Sequence, residues 1–138
     1  GWLASVSEFN PVTYLLAGLR SLIIVGWVAT DLLAALAAIA ALAEAVTIED
    51  RIPYDEPPGW HSPVRQSLGA ALLVAGRAAD AEKVYREELS RNPQNGWSLK
   101  GLELALRAQG RADEARDVER RLAKAWRLAD VKITASRF

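Results

Sequence analysis

His61 is the only histidine among 138 residues and cysteine is absent. That composition removes disulfide frameworks, thiol nucleophiles, Cys/His zinc sites and haem attachment motifs together. His61 stands near Tyr54, Asp55 and Glu56, a set that could be drawn as a metal or acid–base cluster. A catalytic zinc site asks for three protein ligands, however, and a lone histidine ahead of Ser62-Pro63 reads as a turn residue. No phosphate-cradling glycine loop follows either. The sequence therefore points to no catalytic, cofactor-binding or metal site and to a protein that is not an enzyme. A small all-helical enzyme working with carboxylates, lysines and hydroxyls is the least supported alternative. The five tryptophans, Trp2, Trp27, Trp60, Trp97 and Trp126, read as packing anchors at helix entrances, with an interfacial belt or a ligand site as the other use of such residues.

Charge separates the chain into two parts. The 17 Lys and Arg balance the 17 Asp and Glu, so no global field favours nucleic acid, whose binders carry a clustered basic surface. Residues 1–50 hold one base (Arg20) against five acids (Glu8, Asp31, Glu44, Glu49, Asp50), and 51–138 hold sixteen bases against twelve acids. The first part is apolar and rich in Ala and Leu; the second has the charge density of solvated helical surfaces. Between them Arg51-Ile-Pro-Tyr-Asp-Glu-Pro-Pro-Gly-Trp60 contains three of the six prolines, each disfavouring helix at the residue before it. The expected organisation is an apolar helical hairpin at 1–50, a Pro-rich linker at 51–62 and a helical unit at 63–138. The opening ten residues lack the charged and apolar regions of a signal peptide. With Gly1 first and no methionine in the chain, the N-terminus reads as a processed end or a fragment.

Periodicity predicts the elements that must carry any site. Asn10-Pro11 is a helix start, and Val12, Leu15, Leu16, Leu19, Leu22 and Ile23 share one helical face before Gly26. Thr30 can cap a second, almost wholly apolar helix that runs towards Pro53. Ser62-Pro63 starts a third, with Val64, Leu68, Ala71, Leu72 and Ala75 on one stripe. Helices are expected near 11–25, 31–50, 63–75, 79–92, 96–109 and 113–130, with Gly76, Pro93, Gly96 and Gly110 at the turns. Short connections make neighbours antiparallel, so the expected fold is all-α, three antiparallel hairpins. The one stretch with strand-like alternation is the tail Val131-Lys-Ile-Thr134.

A shift of 34 residues superposes Leu68 on Leu102, Ala71 on Ala105, Leu72 on Leu106, Gly76-Arg77-Ala78 on Gly110-Arg111-Ala112, Ala81 on Ala115 and Val84 on Val118. That period is the tetratricopeptide repeat's, a helix–turn–helix unit in which small residues let two helices approach. The first copy resembles the family at Leu68, Gly69, Leu72, Gly76, Ala81, Tyr85 and Pro93. The second keeps Leu102, Leu106, Gly110 and Ala115 but has Glu103 for the small glycine and Glu119 for the aromatic. From about Ala43 the chain also resembles the C-terminal part of larger bacterial tetratricopeptide proteins, in EPPGWHSPVRQSLGAALLVAGR, VYREELSRNPQNGWSL and ADVKITASRF. The resemblance implies a TPR-like α-solenoid without catalytic residues, and makes Phe138 a natural C-terminus. The segment FNPVTYLLAGLRSLIIVGW and the Ala/Leu-rich helix after it are similar to the C-terminal end of type-2 ABC exporter permeases, where a short amphipathic helix precedes a last membrane span. This chain departs by running into the charged AEAVTIEDR. Joined to a repeat protein's end, such a segment implies a fusion or chimera, and transport does not carry over because the motor and the other spans are missing.

Family geometry points Gln66, Ala70 and Leu73 from the first copy, and Trp97, Lys100, Leu104 and Arg107 from the second, to the inner face of the repeats. Lys100 and Arg107 lie two turns apart on one face and suit a peptide carboxylate or acidic side chain, with a solvated basic face as the plainer reading. The expected function is a noncatalytic scaffold for a protein or peptide, self-associating through 11–50. The alternative is a membrane-associated fragment displaying the repeats. Leu22–Val46 is long enough to span but contains Gly26, Asp31 and Glu44, and its uninterrupted part, Leu32–Ala43, has the length of a buried core helix. The expected compartment is cytoplasmic or membrane-associated in a bacterial-like cell, with no cofactor and no nucleic acid.

Overall fold

The computed structural model describes residues 29–53 and 62–136. The expected helix at 11–25, the linker residues 54–61 with Trp60 and His61, and Phe138 lie outside them. The described residues form five helices and no strand: α1 (Ala29–Glu49), α2 (Val64–Val74), α3 (Ala78–Arg91), α4 (Gly96–Ala108) and α5 (Ala112–Ala125). Each helix packs on the next, and α2 also packs on α4. The tail at 131–134, where alternation hinted at a strand, is irregular.

Two turns are built alike. After α2 the Gly76 N–H donates to the Leu73 carbonyl (3.0 Å) and the Arg77 N–H to the Leu72 carbonyl (2.8 Å). After α4, Gly110 and Arg111 donate to Arg107 (2.9 Å) and Leu106 (3.0 Å). This is the paired C-terminal lock that satisfies the last carbonyls of a helix, and it requires a left-handed residue. Gly76 and Gly110 supply it at φ 73° and 76°, which a side chain would oppose. The chain therefore reverses at once, and Ala81 and Ala115, both wholly buried, sit one turn inside the following helices.

The other helix ends depart from local expectation. Pro63 precedes α2 without a side-chain cap; the Val64 N–H instead donates to both carboxylate oxygens of Glu49 at 3.2 and 3.1 Å. Ser62 is thus replaced as cap by an acid from the end of α1. Asn95 caps α4, its Oδ1 accepting from the N–H groups of Trp97 (3.1 Å) and Ser98 (3.3 Å). α5 stops at Ala125, short of the expected 130, because the chain turns at Trp126, whose carbonyl accepts from the Ala129 N–H (3.1 Å) and whose indole Nε1 donates to the Val131 carbonyl (2.6 Å).

The core is continuous from α1 to α5. Ala35, Ala38 and Ile39 of α1 are buried, with Leu42 and Val46 packed beside them, and the core continues through Leu68, Leu72, Leu99, Leu102, Leu106 and Val118. At its centre Tyr85 of α3 is 0 % exposed. A Cβ on Gly69 would lie 2.4 Å from Tyr85 Cζ, and one on Gly101 2.2 Å from the same atom. The ring tip passes between α2 and α4 because both helices present a bare backbone there.

Two glycines should therefore fail differently. Gly101→Ala forces a methyl into a ring that Gly69 blocks from retreating, and should cost about 1–3 kcal/mol by overpacking; Tyr85→Leu in the same chain should recover part of the loss. Gly76→Ala meets no neighbouring atom within 4 Å and should cost about 1–2 kcal/mol from backbone strain alone, with no recovery from Tyr85→Leu. Urea denaturation of the four variants separates the two mechanisms.

Candidate functional site

The helices expected to line an inner face, α2 and α4, lie against each other. Gln66 is buried, Ala70, Leu73, Trp97, Lys100 and Leu104 are half-buried, and Arg107 is exposed. Trp97 packs edge-on against Trp126, with ring centroids 6.3 Å apart and planes at 73°, a favourable arrangement of two aromatic quadrupoles. Trp126 also covers the start of α4: a Cβ on Gly96 would stand 2.4 Å from its Cε3.

Lys100 and Arg107 do come together, at Glu103. The Lys100 Nζ donates to Glu103 Oε2 at 2.6 Å and the Arg107 Nε donates to Glu103 Oε1. Spacings of three and four place all three on one helical face. Arg107 reaches Glu119 as well (3.0 Å). Glu103 is only 3 % exposed; burial pushes its carboxyl up, but the hydrogen bonds and charges of Lys100 and Arg107 outweigh that and hold it below the usual range. The two cations thus already share a carboxylate, which stands where the resembled family has glycine. Reversing both charges would set three carboxylates together, so that change probes folding rather than ligand binding.

Other buried charges, which spacing alone did not single out, hold helices together. Arg65, 3 % exposed, donates to Asp50 Oδ1 at 2.7 Å and Oδ2 at 2.5 Å, and to Glu87 at 3.0 Å. Arg91 donates to Asp50 at 2.7 Å. The Arg65 hydrogen bond is the largest influence on Asp50 and holds its carboxyl below the usual range. Glu88 accepts from Asn92 Nδ2 (2.8 Å) and Asn95 Nδ2 (3.4 Å), fixing the turn into α4. Glu82 accepts from Arg86 (2.8 Å), Gln109 (2.9 Å) and Arg111 (2.6 Å); burial raises its carboxyl, and these donors and charges bring it net below normal. The sequence signal for Glu82 and Glu103 was an arginine four residues on. For Arg65 no local signal exists, because its partners Asp50 and Glu87 come from elsewhere in the chain; Glu88 has only an uncharged donor, Asn92, at that spacing.

The arrangement suits cohesion between helices better than proton transfer. Asp50, Glu82 and Glu103 are acceptors kept ionised by basic neighbours, the opposite of a carboxyl tuned to give up a proton near neutrality. Among the described residues no group of three His, Cys, Asp or Glu side chains is placed to hold a metal ion. The Tyr85 hydroxyl emerges between α2 and α4 and donates to Ser136 Oγ at 2.6 Å; burial pushes this phenol up to about 12 against the smaller opposing effect of Ser136.

The depressed carboxylates fix the sign of the pH response. Their folded-state values lie below the unfolded ones, so their stabilisation is complete above the unfolded value, 4.5 for glutamate, and is lost as pH falls through the folded values. Glu103→Gln should lower stability by roughly 1–3 kcal/mol at pH 7, as expected for losing charged hydrogen bonds. Its stability should then decline less than the parent's below pH 4.5. Thermal denaturation from pH 7 to pH 3, with parallel curves as the contrary result, checks this.

No family model, curated protein or solved structure matches the chain.

Proposed function

We propose that the chain is a noncatalytic helical-repeat scaffold of tetratricopeptide type that binds a protein or peptide partner. The observation that carries this reading is the recurrence of one local design 34 residues apart: the left-handed glycine lock at Gly76 and Gly110, followed by the wholly buried alanines Ala81 and Ala115. Recurrence of a hairpin that contacts its neighbours in series supports a solenoid, whose long faces serve recognition. In this reading α2–α3 and α4–α5 are successive units, α1 takes the place of the second helix of a unit before them, and Gln66, Leu73, Trp97, Lys100, Leu104 and Arg107 belong to the recognition face.

A second reading concerns α1. Thr30–Glu49 is long and apolar enough to cross a membrane by length and composition, and only 17 % of its apolar window is buried. Leu33, Leu36 and Ile48 are exposed, while the opposite face is packed on the core. α1 packs on α2, and Asp50 at its end is tied to Arg65 and Arg91, charges that a spanning α1 would draw towards the bilayer. Asp31, Glu44 and Glu49 with no base along α1 also disfavour anionic lipid. The apolar stripe is better served by a second copy of the chain.

Selection of displayed random peptides on the full chain, followed by backbone NMR of the winner, tests the scaffold. Amide shifts should concentrate on α2 and α4. Failure to enrich any peptide, or shifts confined to α3 and α5, would defeat the reading. Sedimentation of the same sample in detergent-free buffer should show association that Leu36→Glu weakens; an unassociated parent chain removes the role given to α1.

A further inference from the structure

The face between α2 and α4 already holds a peptide segment, the chain's own tail. Ser136 is 3 % exposed and Ile133 7 %, whereas Val131, Lys132, Thr134 and Ala135 face solvent. Three contacts seat the segment. The Trp126 indole donates to the Val131 carbonyl. Ile133 Cδ1 lies 3.0 Å from where a Cβ on Gly96 would stand, beside the Trp126 ring. Ser136 Oγ accepts from the Tyr85 hydroxyl. The last two anchors are three residues apart and use features set in the helices: the bare backbone of Gly96, and the phenol that Gly69 and Gly101 let through.

Among the described residues no backbone–backbone hydrogen bond joins 130–136 to the helices, and Ile133, though buried, lies outside the continuous core. Burial of one aliphatic side chain and two neutral hydrogen bonds are opposed by the entropy of ordering the whole segment. Such a segment is held in the way a ligand is held.

We propose that this face is a binding site for a non-helical peptide carrying a branched aliphatic residue and, three residues later, a hydroxyl, and that residues 131–136 are its internal ligand, displaced when such a peptide arrives. The inference rests on the scaffold reading and adds the ligand's chemistry and the competitor built into the chain. The apolar side chain enters the niche of Gly96 and Trp126, and the hydroxyl meets Tyr85. Because the site is open only when the tail has left, apparent affinity falls by the fraction of open chains.

The test uses a fluorescent peptide of the sequence DVKITAS, residues 130–136, and fluorescence anisotropy. A full chain carrying Ile133→Asp with Ser136→Ala should bind it saturably, and the parent chain at least tenfold more weakly. A peptide with aspartate for the isoleucine and alanine for the serine should bind neither. Absence of binding to the double variant while its helical circular dichroism is intact, or equal binding to both chains, would overturn the proposal. Should the variant lose its helices, the parent chain supplies the answer: it has no cysteine, so Lys132→Cys can carry one environment-sensitive dye. Excess DVKITAS should shift the emission as the tail leaves, and an unchanged spectrum overturns the proposal. A library-selected peptide that binds while the dye stays unmoved would spare the scaffold reading and defeat this one.

Discussion

Everything in the described fold converges on the passage of one aromatic ring between two glycines. Tyr85 belongs to α3, yet its tip lies between Gly69 of α2 and Gly101 of α4, and its hydroxyl appears on the far side to meet Ser136. One wholly buried side chain thus ties three helices and the tail. The constraint is steric before it is energetic. A methyl at either glycine would occupy the ring's space, and packed interiors accommodate even one added carbon poorly. The glycine lock at 76 serves the same end, since an abrupt reversal after α2 keeps α3 close enough for its ring to reach between α2 and α4.

Charge completes what packing begins. A net charge of zero hides an acidic first part and a basic second part, and the junction uses that difference: Glu49 and Asp50 close α1 onto the start of α2 and onto Arg65 and Arg91. With Arg65 buried, loss of a partner would strand a charge in a poorly solvated place, so the clamp specifies geometry even where its net worth is modest. Glu82 and Glu103 repeat the device within and between helices. The same charges that look in the sequence like a solvated face are largely spent on one another, which leaves the uncharged niche at Gly96, Trp126 and Tyr85 as the distinctive surface.

Much of this was legible in the sequence. Apolar periodicity and turn glycines place the starts of the described helices within about two residues, because those signals are local. Where partners come from afar, the sequence was mute. Ser62 resembles a cap but the Val64 N–H is taken by Glu49. The glycine that faces Tyr85 from α4 is Gly101, two positions away from the 34-residue register in which Glu103 looked like a lost small residue. Lys100 and Arg107 share a face, and spacings of three and four put Glu103 on it too, but spacing alone does not show that both cations bond to that carboxylate. The tail carried only a faint alternation, and its burial depends on a niche made by two helices and an indole. The helix expected at 11–25 and Phe138 lie outside the described residues.

The tail is joined to the helices through Tyr85, and a double-mutant cycle measures that join. Tyr85→Phe, Ser136→Ala and the pair should be compared by urea denaturation of the full chain. Phenylalanine keeps the ring between the glycines and removes only the hydroxyl. The expected coupling is about 0.5–1.5 kcal/mol, the worth of one intramolecular hydrogen bond. Additive losses, agreeing within about 0.3–0.5 kcal/mol as for independent sites, would mean that Ser136 does not rest on Tyr85 and would contradict the seating of the tail.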